Sequence, residues 1–158
     1  HVCKRCGHIH YENPRLVVGC SASWEDSILL CRRAIEPRVG YWTLPAGFME
    51  NGETTAEAAT RETFEEAGAT LWVGAPVSMV SIAHIHPVHL FYRGRLATAD
   101  HAAGEESLEV CLVRPAEIPW KDMAFRSVTH CLERYIDDVA RGRFGFHETA
   151  LGPLGKAI

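Results

Sequence analysis

Residues 47–69 read GFMENGETTAEAATRETFEEAGA, and their spacing decides how the rest of the chain is understood. Thr54 followed by Glu57 is a capping-box pair, in which the threonine hydroxyl accepts from the backbone three residues on and the glutamate reaches back to the threonine amide. Good helix formers follow until Gly68, a residue suited to ending a helix. The spacing therefore predicts a short helix. At about 100° of turn per residue, Glu62, Glu65 and Glu66 fall within an arc of roughly 100°, while Ala56, Ala59, Thr60, Thr63, Phe64 and Ala67 gather on the opposite side. One face is expected to pack and the other to carry three carboxylates.

Like charges at i, i+3 and i+4 repel and destabilise an isolated helix, so they call for a cation or a solvated surface. Carboxylate oxygens suit Mg²⁺ or Mn²⁺, and Mg²⁺ held by a few carboxylates together with substrate phosphates is the usual arrangement for phosphate chemistry. Taken alone, the three glutamates are better read as an acidic, solvent-facing helix. The complete spacing changes that reading: Gly47, five residues, Glu53, seven residues, Arg61-Glu62, then Glu65-Glu66 and Gly68. It resembles the Nudix box, with every charged and glycine position filled. Thr63 departs from the pattern, which prefers a larger apolar residue there, and Ala69 is a small choice at the last position. The resemblance implies a loop–helix–loop in which Glu62, Glu65, Glu66 and the Gly47 carbonyl hold Mg²⁺ or Mn²⁺, with Arg61 and Glu53 orienting and bracing that cluster.

At 158 residues the chain has the size of one domain, and 47% hydrophobic with 23% charged residues is ordinary for a globular protein. A formal charge of -4 argues against a nucleic-acid polymer as partner but not against a nucleotide. No apolar run approaches the ~20 residues that cross a bilayer, and no signal-peptide pattern opens the chain, so no membrane partner and a cytoplasmic location are expected. Cys20, Cys31, Cys111 and Cys131 sit singly in apolar segments and read as small core residues. Cys3 and Cys6, in Cys-Lys-Arg-Cys-Gly, have the spacing of a zinc knuckle. Zn²⁺ needs two more ligands. The preferred reading is half of a structural zinc ribbon whose other pair precedes His1, with His1, His8 and His10 as nearby substitutes.

After Asn13-Pro14, residues 16–23 and 28–32 read as two strands joined by a turn at Glu25-Asp26. Arg33 then lies where related enzymes often place a cation near substrate phosphates, or is a plain surface arginine. Phe48 and Trp42 could stack on a base, but a core or loop-anchoring role is the favoured reading for each. Residues 71–73, 77–85 and 88–96 have strand composition. Among His84, His86 and His89, the first two share a strand face, and surface or substrate-pocket roles are favoured over a second metal site. Residues 104–109, GEESLE, precede a strand at 110–113. In Nudix enzymes a carboxylate outside the box often completes the metal site or acts as general base, and Glu106 is the first choice, Glu109 the second. Ser127 is a plausible N-cap for a packing helix that closes at Arg141-Gly142. The stretch from Phe144 shows no periodicity.

The resemblance implies an α+β Nudix fold, a mixed sheet between helices (α/β/α). Residues 1–13 form a partial zinc-ribbon segment, 14–143 the Nudix hydrolase domain and 144–158 a C-terminal tail. The function expected is metal-dependent hydrolysis of a nucleoside diphosphate linked to another moiety. CKRCG, NPRLVVGC, the box, GEESLE, EIPW and FHET are similar to the zinc-ribbon group that includes ADP-ribose and FAD pyrophosphatases. The Ser-Gln-Pro-Trp-Pro-Phe-Pro stretch of NADH pyrophosphatases is missing, since this region reads Val77-Ser78-Met79-Val80-Ser81-Ile82. Alternatives are a nucleoside triphosphate or NADH pyrophosphatase, and a nucleotide-sensing module without turnover, against which the intact box carboxylates argue. The expected partner is a small nucleotide, and a homodimer is left open.

Overall fold

The computed structural model describes residues 2–11 and 13–153. Eight strands form one mixed sheet: β1 (Arg15–Trp24), β2 (Ser27–Arg33), β3 (Trp42–Thr43), β4 (Ala46–Phe48), β5 (Leu71–Ser81), β6 (Pro87–Leu96), β7 (Ser107–Val113) and β8 (His147–Ala150). The main order is β3-β2-β1-β6-β5-β8, with β4 also paired to β1 and β7 to β2. Helices α1 (Thr55–Ala67) and α2 (Arg126–Arg141) cover it, giving the α/β/α arrangement that the sequence resemblance implied.

Strand alternation divides the core. Val18, Cys20, Ala22, Leu29 and Cys31 pack with Ala58, Ala59 and Ala67 of α1. Ile28, Leu30 and Phe91 belong to a second cluster with Val128, Cys131 and Leu132 of α2. Neighbouring side chains on one strand point to opposite faces, so each central strand supplies both layers. Cys20, Cys31 and Cys131 are buried as expected, with Cys111 half-buried.

Helix α1 starts as read. The Thr54 side chain accepts from the Glu57 N–H at 3.2 Å, and the Thr54 N–H donates to the Glu57 carboxylate at 2.7 Å. Gly68 ends it in the left-handed conformation (φ 59°), its N–H donating to the Phe64 carbonyl. The packing face differs from expectation. Glu62 and Glu66 are buried with Ala58, Ala59, Thr63 and Ala67, whereas Phe64 is 63% exposed. Buried Thr63 satisfies its hydroxyl on the Ala59 carbonyl at 2.8 Å.

Other elements also depart from the sequence reading. Residues 71–81 form one strand, kept continuous through register irregularities around Pro76, and it stops at Ser81 rather than 85. His84 and His86 therefore lie in the turn before β6, and share no strand. Helix α2 begins at Arg126 with Phe125 as N-cap, and the Ser127 hydroxyl instead meets His89 Nδ1 at 2.9 Å. Residues 147–150, within the stretch lacking periodicity, pair in parallel with β5. That strand is anchored by Asp138 of α2, which is 4% exposed and accepts from the Gly145 N–H at 2.9 Å beside His147 Nε2 at 2.8 Å.

Candidate active site

The centre of the site is Arg61, one turn before the paired glutamates of α1. Its Nε donates to Glu53 at 3.0 Å and Nη2 to the other Glu53 oxygen at 2.7 Å, a two-pronged pairing that fixes the guanidinium plane. Nη1 reaches Glu62 at 2.7 Å and Glu65 at 3.0 Å, and Nη2 also donates to the Phe48 carbonyl at 3.1 Å. Glu53 in turn accepts from the Glu50 N–H at 2.7 Å, and these donors hold its carboxyl below the usual range, the Arg61 bond first. One arginine thus locks the loop before α1 onto the helix.

Glu66 is placed differently. Burial first, then the negative charge of Glu62, pushes its carboxyl up to about 8, against the opposing pull of Arg33 and a hydrogen bond from the Ala46 N–H. Burial also raises Glu62, with Arg61 opposing. No ion pair to Glu66 is present among the described residues, nor do any three His, Cys, Asp or Glu side chains gather there as a ready metal cage. Glu62 and Glu65 turn to the Arg61 guanidinium and Glu66 toward Ala46, and all three line one cavity with Gly47.

Gly47 makes this packing feasible. Strand β4 runs antiparallel to β1, with Gly47 opposite Val18, and a Cβ at Gly47 would collide with the Glu62 carboxylate. The loop after β6 is tied to the end of α1 by the Ala102 N–H on the Ala67 carbonyl (2.8 Å) and the Gly104 N–H on the Glu66 carbonyl (3.1 Å). A side chain at Gly104 would collide with the Glu65 backbone. That close approach, with the Ala34 N–H donating to the Glu106 carbonyl at 2.8 Å, brings Glu106 to the site. Glu109 instead pairs with Arg32 at 3.6 Å and does not line the cavity.

A cavity of about 930 Å³ opens over these groups and is lined from both faces of the sheet. Glu36, Glu50, Glu62, Glu65, Glu66, Glu105 and Glu106 line it, against three guanidiniums, Arg15, Arg33 and Arg61. Arg33 has its Nε on the Pro37 carbonyl (2.8 Å) and its guanidinium 5.1 Å from the Phe125 ring centre. Phe48, 49% exposed, lies under the Arg15 guanidinium at 4.6 Å. Trp42 is packed against the α2-side core instead. The sequence reading did not single out Arg15, Phe125 or Ile82 as lining residues, and no local signal marks them.

Cys3 and Cys6 lie in an exposed turn closed by the Gly7 N–H on the Cys3 carbonyl (2.9 Å). Backbone N–H groups of Cys6 and Arg5 hold the Cys3 thiol below its ordinary value. Among the described residues no third ligand joins the pair, so the zinc expectation gains no support there, and His1 lies outside the described residues.

The NUDIX domain family model matches residues 13–131. A NUDIX hydrolase structure from Nitrosomonas europaea superposes with a TM-score of 0.93 at 45% identity, over 96% of this chain and 86% of that one. An ADP-ribose pyrophosphatase of Methanocaldococcus jannaschii is 41% identical over 58 residues, 37% of this chain and 34% of that protein. The NAD-capped RNA hydrolase NudC of Salmonella heidelberg is 39% identical over 67 residues, 42% of this chain and 26% of that protein. The chain therefore spans about a third or less of these curated relatives. With the box residues assembled around Arg61 and the family pattern running through most of the chain, the protein belongs to the Nudix family.

Proposed function

We propose that the chain hydrolyses the diphosphate of a nucleoside diphosphate linked to another moiety, with ADP-ribose or FAD yielding AMP and the other half. The observation that carries this reading is the cavity's charge: seven carboxylates face three guanidiniums, so a diphosphate entering alone would be repelled. The donor set fits hard divalent cations. Glu66 is a carboxylate that burial first and then the Glu62 charge push up to about 8, an environment that a cation would relieve, and Glu62, Glu65 and the Gly47 carbonyl are the further oxygen donors lining the cavity with it. Bound Mg²⁺ or Mn²⁺ would neutralise the diphosphate oxygens and acidify the attacking water.

The chain's own residues supply the remainder. Arg61 keeps Glu53 and Glu62 in register while Glu50 closes the loop. Arg33 and Arg15 are the guanidiniums able to meet phosphate oxygens, and Phe48 the exposed ring able to stack on a base. Glu106, from outside the helix, is the carboxylate assigned to receive the proton of the attacking water.

The adenylate assignment rests on the submotifs GEESLE, EIPW and FHET and on the partial likeness to an ADP-ribose pyrophosphatase. Product chromatography on ADP-ribose, FAD, NADH and nucleoside triphosphates tests it. AMP from ADP-ribose or FAD is expected, and exclusive triphosphate cleavage would overturn the choice. The likeness to an NAD-capped RNA hydrolase makes NADH the informative competitor.

A further inference from the structure

Diphosphate hydrolysis does not require a histidine on the α2 side of the cavity, yet His89 lines it there. Val17 of β1 pairs with Phe48 on one side and His89 on the other. Laterally paired residues project from the same face, so Phe48, Val17 and His89 form one row, with its ends roughly 10 Å apart at two strand spacings. All three line the cavity. The imidazole is held at Nδ1 by the Ser127 hydroxyl at 2.9 Å and by edge-on contact with Phe91 at 6.1 Å. Among the described residues no hydrogen bond uses its Nε2.

We propose that His89 is a specificity-determining residue, reading the hydrogen-bonding edge of the substrate's adenine through Nε2, with Ser127 as the positioning residue that fixes the ring. The inference rests on the adenylate reading of the site. Burial lowers His89 to about 4, so the ring is neutral and carries no charge for a phosphate, a task left to the arginines. A tie between β6 and α2 would use only Nδ1. Ile82, Ile85 and Phe125 line the same cavity and offer Nε2 no polar partner, so a base without a polar edge there leaves that nitrogen unmatched.

The test compares kcat/KM for ADP-ribose and its benzimidazole analogue, because benzimidazole keeps the stacking rings but has no polar atom on its six-membered ring, whereas a change of tautomer with the Ser127 hydroxyl lets Nε2 pair with either a donor or an acceptor. Wild type is expected to prefer ADP-ribose about tenfold, a factor typical of one matched hydrogen bond. His89→Phe, which keeps the apolar contacts, is expected to raise KM for ADP-ribose and abolish the preference, and Ser127→Ala to narrow it. In ¹⁵N NMR of the unaltered chain, AMP is expected to shift the His89 Nε2 resonance, a readout independent of variant folding. Equal use of both substrates by wild type, a preference retained in folded His89→Phe, or an Nε2 signal unmoved by saturating AMP would each overturn the assignment. Loss of turnover on both substrates in wild type would strike the proposed function instead, and the AMP titration would then decide His89 alone.

Discussion

Replacing Glu66 with Gln should make the metal-free chain more stable and the enzyme inactive. The carboxyl sits near about 8 in the folded chain, against an ordinary value of 4.5, so folding disfavours its ionised form. The folded state then binds more protons than the unfolded state between those values. The penalty is small below pH 4.5, grows as pH rises and levels off above pH 8. At about 1.4 kcal/mol per pH unit, the ceiling at pH 8 is about 4 kcal/mol, falling to about 1 at pH 5. Local relaxation and water reduce it, and about 2 kcal/mol is a working figure. For a chain of this size that is about 4–8 °C in Tm. Gln keeps an oxygen for the Ala46 N–H, so little should be lost in return. Thermal denaturation in EDTA at pH 8 and pH 5 should show the variant above wild type, with the larger gap at pH 8. Mn²⁺ should raise the Tm of wild type far more than that of Glu66→Gln, and turnover should fall by roughly a thousandfold. A variant less stable than wild type at pH 8 in EDTA, or one stabilised equally by Mn²⁺, would refute the reasoning.

Gly47→Ala places a methyl against the Glu62 carboxylate and should cut kcat/KM by at least about a hundredfold with the fold retained by circular dichroism, because a small misplacement at a reacting centre is that costly. Glu53→Gln, which touches Arg61 rather than lining the cavity, should lose less than Glu65→Gln and recover partly at high Mg²⁺ in a metal titration of rate. Glu106→Gln should match the helix variants in kcat, whereas Glu109→Gln should be near normal in the same assay. Asp138→Asn should loosen β8 and cost about 2 kcal/mol by chemical denaturation at pH 7, the size of a charge-assisted hydrogen bond. Burial opposes the Asp138 charge, but Gly145 and His147 prevail and hold its carboxyl below 3.8, so the difference should shrink as pH falls through that range.

The helix of the site was legible because its signals are local: a capping box, helix formers and a glycine at the end. Its inward face was not. Charged side chains ordinarily face solvent, yet Glu62 and Glu66 are buried while Glu65 and Phe64 stay outside. The GEESLE segment pointed to Glu106, but only the tie of Gly104 to Glu66 explains why Glu106 reaches the site and Glu109 does not. Ser127 looked like a cap because it precedes an apolar period, and a long-range partner, His89, took its hydroxyl. The Phe48–Val17–His89 row joins three segments far apart in sequence, and sheet register alone creates it. Strand β8 has four residues, too few to show a period.

The most direct test of divalent-ion-dependent diphosphate cleavage is a turnover of ADP-ribose in H₂¹⁸O by the unaltered chain, with Mg²⁺ or with EDTA, read by mass spectrometry of the products. AMP and ribose 5-phosphate in equal amounts, with ¹⁸O in one of them and no products in EDTA, is the expected result. Binding of ADP-ribose without turnover under Mg²⁺ or Mn²⁺, or equal turnover in EDTA, would contradict the account.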